Sequence, residues 1–337
     1  MYNGSMLKIV ITENQAGQRL DRFLKKYFNN ASLGTIYKLI RKDVKINGRR
    51  GNESTMLAQG DELTLYVSGE TAAGLRKEKP RVKVKKQFKI AYEDENVLVA
   101  EKPFGLLTHG DRTEKKNHLA NQVIDYLIEK GDYNPRRETT FVPAPANRLD
   151  RNTTGLVVFG KNAAALQTLN RMIREKDRIH KLYLTIVAGR LERPVRLKAK
   201  MTKDTGKNMV SVLSEEEEGK VMETIARPLA HANWKGRDYT LTEVEILTGR
   251  THQIRAHLAK AGYPVIGDVK YGDRKVNAIM EKEFGLTTQL LHAYKLIFEE
   301  DSSDQGIQAL CLPKTVESQM PPDFERIKQT IFGNTTR

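Results

Sequence analysis

The stretch Asn147-Arg148-Leu149-Asp150-Arg151-Asn152-Thr153-Thr154-Gly155 sets one carboxylate close to two arginines and follows it with a Thr-Thr-Gly turn. Leu156-Val157-Val158-Phe159-Gly160 comes next, an apolar run of strand character. A carboxylate beside fixed positive charge keeps the ionised form that a nucleophile requires. Taken alone, Arg-Leu-Asp is more simply a surface loop with a salt bridge. The rest of the chain has to decide between the two.

Other chemistries lack support. A zinc site needs ligands that converge, as two histidines one helical turn apart do, but His252 and His257 are five residues apart and off a common face. No Walker loop or G-x-G-x-x-G is present, so nucleotide-cofactor chemistry has no basis, and no metal or cofactor is expected. The only cysteine is Cys311, which argues against a disulfide framework and against a thiol mechanism. No run of about 18 apolar residues or signal-peptide core occurs, so the expectation is a cytoplasmic protein without a membrane span.

The 337 residues suffice for two domains, and the formal charge is +15. That charge is uneven. Residues 1–88 hold 18 Lys+Arg against 8 Asp+Glu, leaving 39 against 34 for the remainder. Two thirds of the excess therefore lies in about a quarter of the chain, and a polyanion is the natural partner for such a segment. A merely solubilising surface is the plainer alternative.

Several elements could position these residues. Leu20, Phe23, Leu24 and Tyr27 recur at helical spacing, and Ser32 can cap a second helix that turns Ile36, Leu39 and Ile40 inward. Asn47-Gly48 is a hairpin signal, and Leu63, Leu65 and Val67 alternate as a strand does. Residues 69–87, rich in Lys and Arg, read as a linker. A second composition begins near Phe88, where Ile90-Ala91-Tyr92 and Val97-Leu98-Val99-Ala100 are strand candidates and Pro103 and Gly105 break the second. Helices are expected over 118–130 and 163–173, and strands over 181–187, 239–246 and 290–298. A turn at Thr248-Gly249 leads into a helix that Gly262-Tyr263-Pro264 closes. Residues 201–222, with Gly206 and Glu215 to Glu218, read as exposed loops or hairpin tips, and the four acids as a solvated turn.

The motifs now resemble a family. Arg148-Leu149-Asp150-x-x-Thr153-Thr154-Gly155 is similar to the catalytic motif of the RluA/RluC/RluD-type pseudouridine synthases. Lys102-Pro103-x-Gly105, Lys181-x-Tyr183, Gly249-Arg250-Thr251-His252-Gln253-Ile254-Arg255 and Gly267-Asp268-x-x-Tyr271-Gly272 match further motifs in family order, across roughly residues 88–300. Asn147 stands where the family often carries His, and Thr154 where Ser is common. Residues 17–67 resemble an alpha-L RNA-binding domain.

The resemblance implies an α+β fold: a catalytic domain over 88–337 on a mainly antiparallel mixed sheet, behind an alpha-L domain over 1–68. It implies isomerisation of uridine to pseudouridine without a cofactor, most often in large-subunit ribosomal RNA; separately, a monomer is expected. Asp150 would be the nucleophile, attacking either sugar or ring. Arg255 would pair with it, and Tyr183 would offer an aromatic face and a hydroxyl. Because a stacked base is out of reach, it must be flipped out at a cost of a few kcal/mol, with Arg148 filling the vacated space or holding phosphates. Arg19, Arg22, Lys38, Arg41 and Lys42 become candidate phosphate contacts. Two rivals remain at this stage: a synthase directed at transfer RNA, and a non-catalytic RNA-binding assembly factor.

Overall fold

The computed structural model describes residues 6–76, 83–175, 177–204, 209–214 and 216–333. They fall into two compact units, one of residues up to 84 with 124–144 and 161–164, the other of 85–123, 145–160 and 165 onward.

In the first unit, helices Leu20–Tyr27 and Leu33–Asp43 turn Leu20, Phe23, Leu24, Ile36 and Ile40 into one core. Each such side chain contributes about 1.5–3 kcal/mol by leaving water. Ser32 caps the second helix, accepting the Thr35 N–H at 3.1 Å. The core is closed by a small antiparallel sheet in the order Leu7–Val10, Glu62–Leu65, Val44–Ile46. Asn47 and Gly48 both take positive φ, 48° and 80°, as a tight hairpin turn demands. Within 69–87, Gly69–Gly74 is a short helix capped by Ser68, and residues 77–82 lie outside the described residues.

The second unit is built on a large sheet. Its strands run in the order Met209–Leu213, Val195–Asp204, Lys220–Trp234, Arg237–Ile246, Ile179–Ala188, Leu291–Phe298, Thr154–Gly160, Val97–Lys102, Lys89–Glu93. Only the contact between Leu291–Phe298 and Thr154–Gly160 along this path is parallel, so the sheet is mixed and mainly antiparallel, as expected. On Ile179–Ala188 alternate side chains face opposite ways. Leu184 and Ile186 enter a core with Phe324 and Ile327 of helix Pro322–Phe332, while Lys181 and Tyr183 take the other face.

Residues 201–222 correct the loop reading. Val195–Asp204 and Met209–Leu213 pair as an antiparallel hairpin, and Lys220–Trp234 is a strand of 15 residues beside it. Gly206 and Glu215 lie outside the described residues. Val195, Leu197, Ala199 and Met201 do alternate with polar residues, a period of two that the surrounding lysines mask. Pro228 interrupts the long strand's pattern, and a register shift between Pro228 and Ala230 accommodates it, since proline cannot donate to the ladder. Among the described residues, no helix is long and apolar enough to cross a membrane.

Candidate active site

The register of three neighbouring strands places the site. Tyr183 is opposite Ala293, and Ala293 is opposite Gly155, so the three form a row across the sheet. Gly155 has φ 112°, and a Cβ there would come within 2.1 Å of the Ala293 carbonyl oxygen. Glycine is therefore required where the two backbones meet. Asp150, five residues before Gly155, lines the same cleft as Tyr183.

Asp150 is held by its neighbours in the loop. Thr108 Oγ1 donates to the Leu149 carbonyl at 3.0 Å and accepts the Leu149 N–H at 3.1 Å. The Thr153 N–H donates to the Asp150 carbonyl at 3.1 Å, closing the turn. Lys102 is buried, and its Nζ donates to the carbonyls of Pro103, Leu106 and Arg151 at 3.1, 2.7 and 2.8 Å. Burial pushes this lysine down to about 7. Three carbonyl acceptors nevertheless match the three protons of the ammonium form. Asn147 accepts the Val158 N–H at 2.8 Å and donates to the Leu156 carbonyl at 3.3 Å, so this departure from the family pattern is a strand fastener.

The partner arginine arrives on helix Gln253–Lys260, which packs against strands Met209–Leu213 and Lys220–Trp234. Gln253 anchors its start, donating to the Glu223 carbonyl at 2.9 Å and accepting the Arg250 N–H at 3.0 Å. Arg255 is buried and donates from Nη1 to Asp150 Oδ2 at 3.2 Å. Its other edge grips Asp268 in a two-pronged pair, Nε to Oδ2 at 2.6 Å and Nη2 to Oδ1 at 2.8 Å. Asp268 also accepts the N–H groups of Lys270 and Tyr271. Burial works against the Asp268 charge, but these hydrogen bonds prevail and hold the carboxyl below its usual range. Arg255 likewise stays above its usual value despite burial, through Asp268 and Asp150.

Asp150 remains reachable, its side chain 21% exposed. It opens on a cleft of about 330 Å³ whose lining includes Arg148, Lys181, Tyr183, His252 and Arg255. A second cavity, also lined by Arg148, Asp150, His252 and Arg255, extends past Arg151 and Lys270. Burial, then the Asp150 charge, pushes the Tyr183 hydroxyl above its ordinary value, so it stays protonated at neutral pH. The cleft thus presents a carboxylate with one oxygen tied by a guanidinium, a flat aromatic side chain and an exposed arginine.

Comparison with known proteins decides what this arrangement belongs to. The family model for RNA pseudouridylate synthase matches residues 96–260. Ribosomal large subunit pseudouridine synthase C of Pasteurella multocida (strain Pm70) is 30% identical over 336 residues, 97% of this chain and 94% of its own. The protein of that name from Escherichia coli (strain K12) is 31% identical over 333 residues, 96% of each chain. The chain belongs to the RNA pseudouridine synthases. It is an enzyme that acts on RNA, converting uridine to pseudouridine. The solved structure of human RNA pseudouridylate synthase domain containing 4 shares the fold, with a TM-score of 0.52 at 20% identity over 71% of this chain and 91% of that one.

For this pseudouridine synthase, the structure brings Arg148, Asp150, Tyr183 and Arg255 to one cleft. In the first unit, Arg22, Lys38, Arg41 and Lys42 are exposed. Arg19 differs: its Nε and Nη2 donate to Asp21 at 3.2 and 2.8 Å, so much of its guanidinium is already engaged. Sequence reasoning missed the parts played by Lys102, Thr108, His252 and Asp268. Lys102 and Asp268 were visible as motif positions, but nothing in their spacing tells which backbone or side chain each holds. Among the described residues, no group of three or more His, Cys, Asp or Glu could hold a metal ion.

Proposed function

We propose that the enzyme modifies large-subunit ribosomal RNA, with Asp150 as its nucleophile. The geometry that carries this reading is the Asp150 carboxylate, paired to Arg255 at 3.2 Å and open to a cleft that Tyr183 also lines. The names of the curated relatives support the ribosomal target.

In the reaction, C1′–N1 of the extruded uridine breaks and C1′–C5 forms. N1 gains a proton and C5 loses one, so the change is a pure isomerisation. Asp150 attacks the sugar or the ring. Arg255, clamped by Asp268, fixes one carboxylate oxygen and leaves the other to react. Tyr183 stacks beneath the base and keeps its proton available for donation. Arg148, exposed beside Asp150, occupies the gap that the flipped base leaves or holds its phosphates. Residues 1–68 act as an RNA-binding domain joined through 69–87 to a catalytic domain over 88–337, with Arg19, Arg22, Lys38, Arg41 and Lys42 on phosphates. The chain works as a monomer in the cytoplasm, a state that gel filtration of the RNA-free protein tests.

Mapping pseudouridines in RNA from cells lacking the protein tests the target. One missing site in large-subunit RNA is expected; loss from transfer RNA would redirect the enzyme, and no loss at all would favour a non-catalytic assembly role. Asp150→Asn should lower single-turnover product formation by at least about 10³-fold while RNA affinity is retained. Near wild-type turnover by that variant would remove Asp150 from the chemistry.

A further inference from the structure

His252 stands beside Asp150, and the reaction as described assigns it no task. It stands at the N-cap of Gln253–Lys260, yet its side chain caps nothing. Its backbone is left-handed, with φ 53°, a conformation that is costly for a non-glycine residue and persists only where the surroundings impose it. The ring is buried, and it lines both cavities that meet at Asp150. Nδ1 lies 3.0 Å from Tyr271 Oη and Nε2 lies 3.9 Å from Asp150 Oδ2.

A chain of hydrogen bonds favours one ring nitrogen over the other as the carrier of the proton. The Val210 backbone N–H donates to Tyr271 Oη at 2.8 Å. The phenol then has its own hydrogen to donate, and His252 Nδ1 is the acceptor within reach. With the phenol hydrogen directed at Nδ1, a neutral ring carries its own hydrogen on Nε2. Neutrality follows from burial, which pushes the imidazole down to about 4 against the pull of Asp150, with Arg255 and Lys270 acting in the same direction as burial and Asp268 opposing it. At 3.9 Å, Nε2–H is too far from Asp150 to be spent on it. Among the described residues, it is a donor held toward the cleft with no protein acceptor at hydrogen-bond distance.

The reaction creates an acceptor at that place. When C1′–N1 breaks and its electron pair stays on the base, negative charge spreads over N1, O2 and O4. A preorganised donor aimed where charge develops lowers the barrier far more than one that must reorient. We propose that His252 is a catalytic hydrogen-bond donor whose Nε2–H binds a carbonyl oxygen of the extruded uracil and stabilises the base while it is detached. The imidazole keeps its proton throughout: N1 takes one up and C5 gives one up, and neither passes through the ring. This role rests on the reading of Asp150 as the nucleophile.

The test measures single-turnover rates on a ribosomal RNA fragment carrying the mapped target as uridine, 2-thiouridine or 4-thiouridine, since sulfur accepts hydrogen bonds poorly. His252→Leu should slow the uridine reaction by about 10²–10³-fold with RNA affinity unchanged. One of the two thio bases should slow the wild type but slow His252→Leu little further, because the bond it weakens is already gone. His252→Gln, whose amide N–H extends toward the same place, should recover part of the loss. Equal thio effects in wild type and His252→Leu, for both bases, would overturn the proposal. So would imidazole ¹⁵N spectra of the wild-type protein showing the proton on Nδ1, a measurement that needs no variant to fold. A wild type that fails to isomerise unmodified RNA would sink the functional reading itself, a different outcome from turnover without thio coupling.

Discussion

Arg255 divides one guanidinium between two carboxylates of unequal standing. Asp268 is buried and takes two bonds, whereas Asp150 is open to the cleft and takes one. The buried acid thus locks the arginine, and the arginine in turn positions the acid that opens on the cleft. Asp268→Asn removes the opposite charge and half of the two-pronged fit, leaving Arg255 free to swing toward Asp150. Its expected effect is a fall of about 10–100-fold in single-turnover rate with little change in RNA affinity, because the shift is in geometry at the reacting group. An unchanged rate, measured on a folded variant, would show that the clamp is dispensable.

Elements matter through the places where they touch. The parallel contact between Thr154–Gly160 and Leu291–Phe298 brings the Asp150 loop to Tyr183, and it closes only because Gly155 has no Cβ. Gly155→Ala is expected to destabilise the fold by about 3 kcal/mol or more, as overpacking and an unfavourable φ combine. A urea midpoint equal to that of the wild type would contradict this. On the basic helices, replacing Arg22, Lys38, Arg41 and Lys42 together with glutamine should weaken RNA binding. It should also flatten the dependence of log affinity on log salt by roughly 0.7–0.9 for each phosphate no longer neutralised. Parallel salt plots for variant and wild type would remove these side chains from the interface. Arg19, already paired with Asp21, is expected to add less than the other four.

At the scale of the molecule, buried neutral histidines set a pH limit. His252 and His292 are both pushed down to about 4 by burial. The unfolded chain takes up protons at these positions near pH 6.5, and the folded chain does not until about pH 4. Between those values the unfolded state binds more protons, so stability falls as pH is lowered through this window. Lowering pH from 7 to 5 should cost about 2 kcal/mol per histidine, before smaller changes elsewhere are counted. Denaturant melts at the two pH values check this, and a stability that is flat or rising toward pH 5 would refute it.

The chain alone determined the order of its motifs, the apolar strands around them and the unequal spread of charge, because all three are local properties of composition and spacing. Asp150, Tyr183 and Arg255 were singled out through the resemblance of those motifs to a family. The structure alone decided which side chains meet. Asp150 and Arg255 are 105 residues apart, and no periodicity reports that distance. The Asp268 clamp, the Lys102 and Thr108 ties and the Tyr271–His252 bond are likewise hydrogen bonds between elements, set by strand register and helix packing. The strands of the hairpin at 195–213 went unread for a related reason: half-exposed strands rich in lysine look like loops or hairpin tips until a neighbouring strand shows which face is covered. Local sequence can name a candidate carboxylate, but its orientation depends on groups that only folding brings within 3 Å or so.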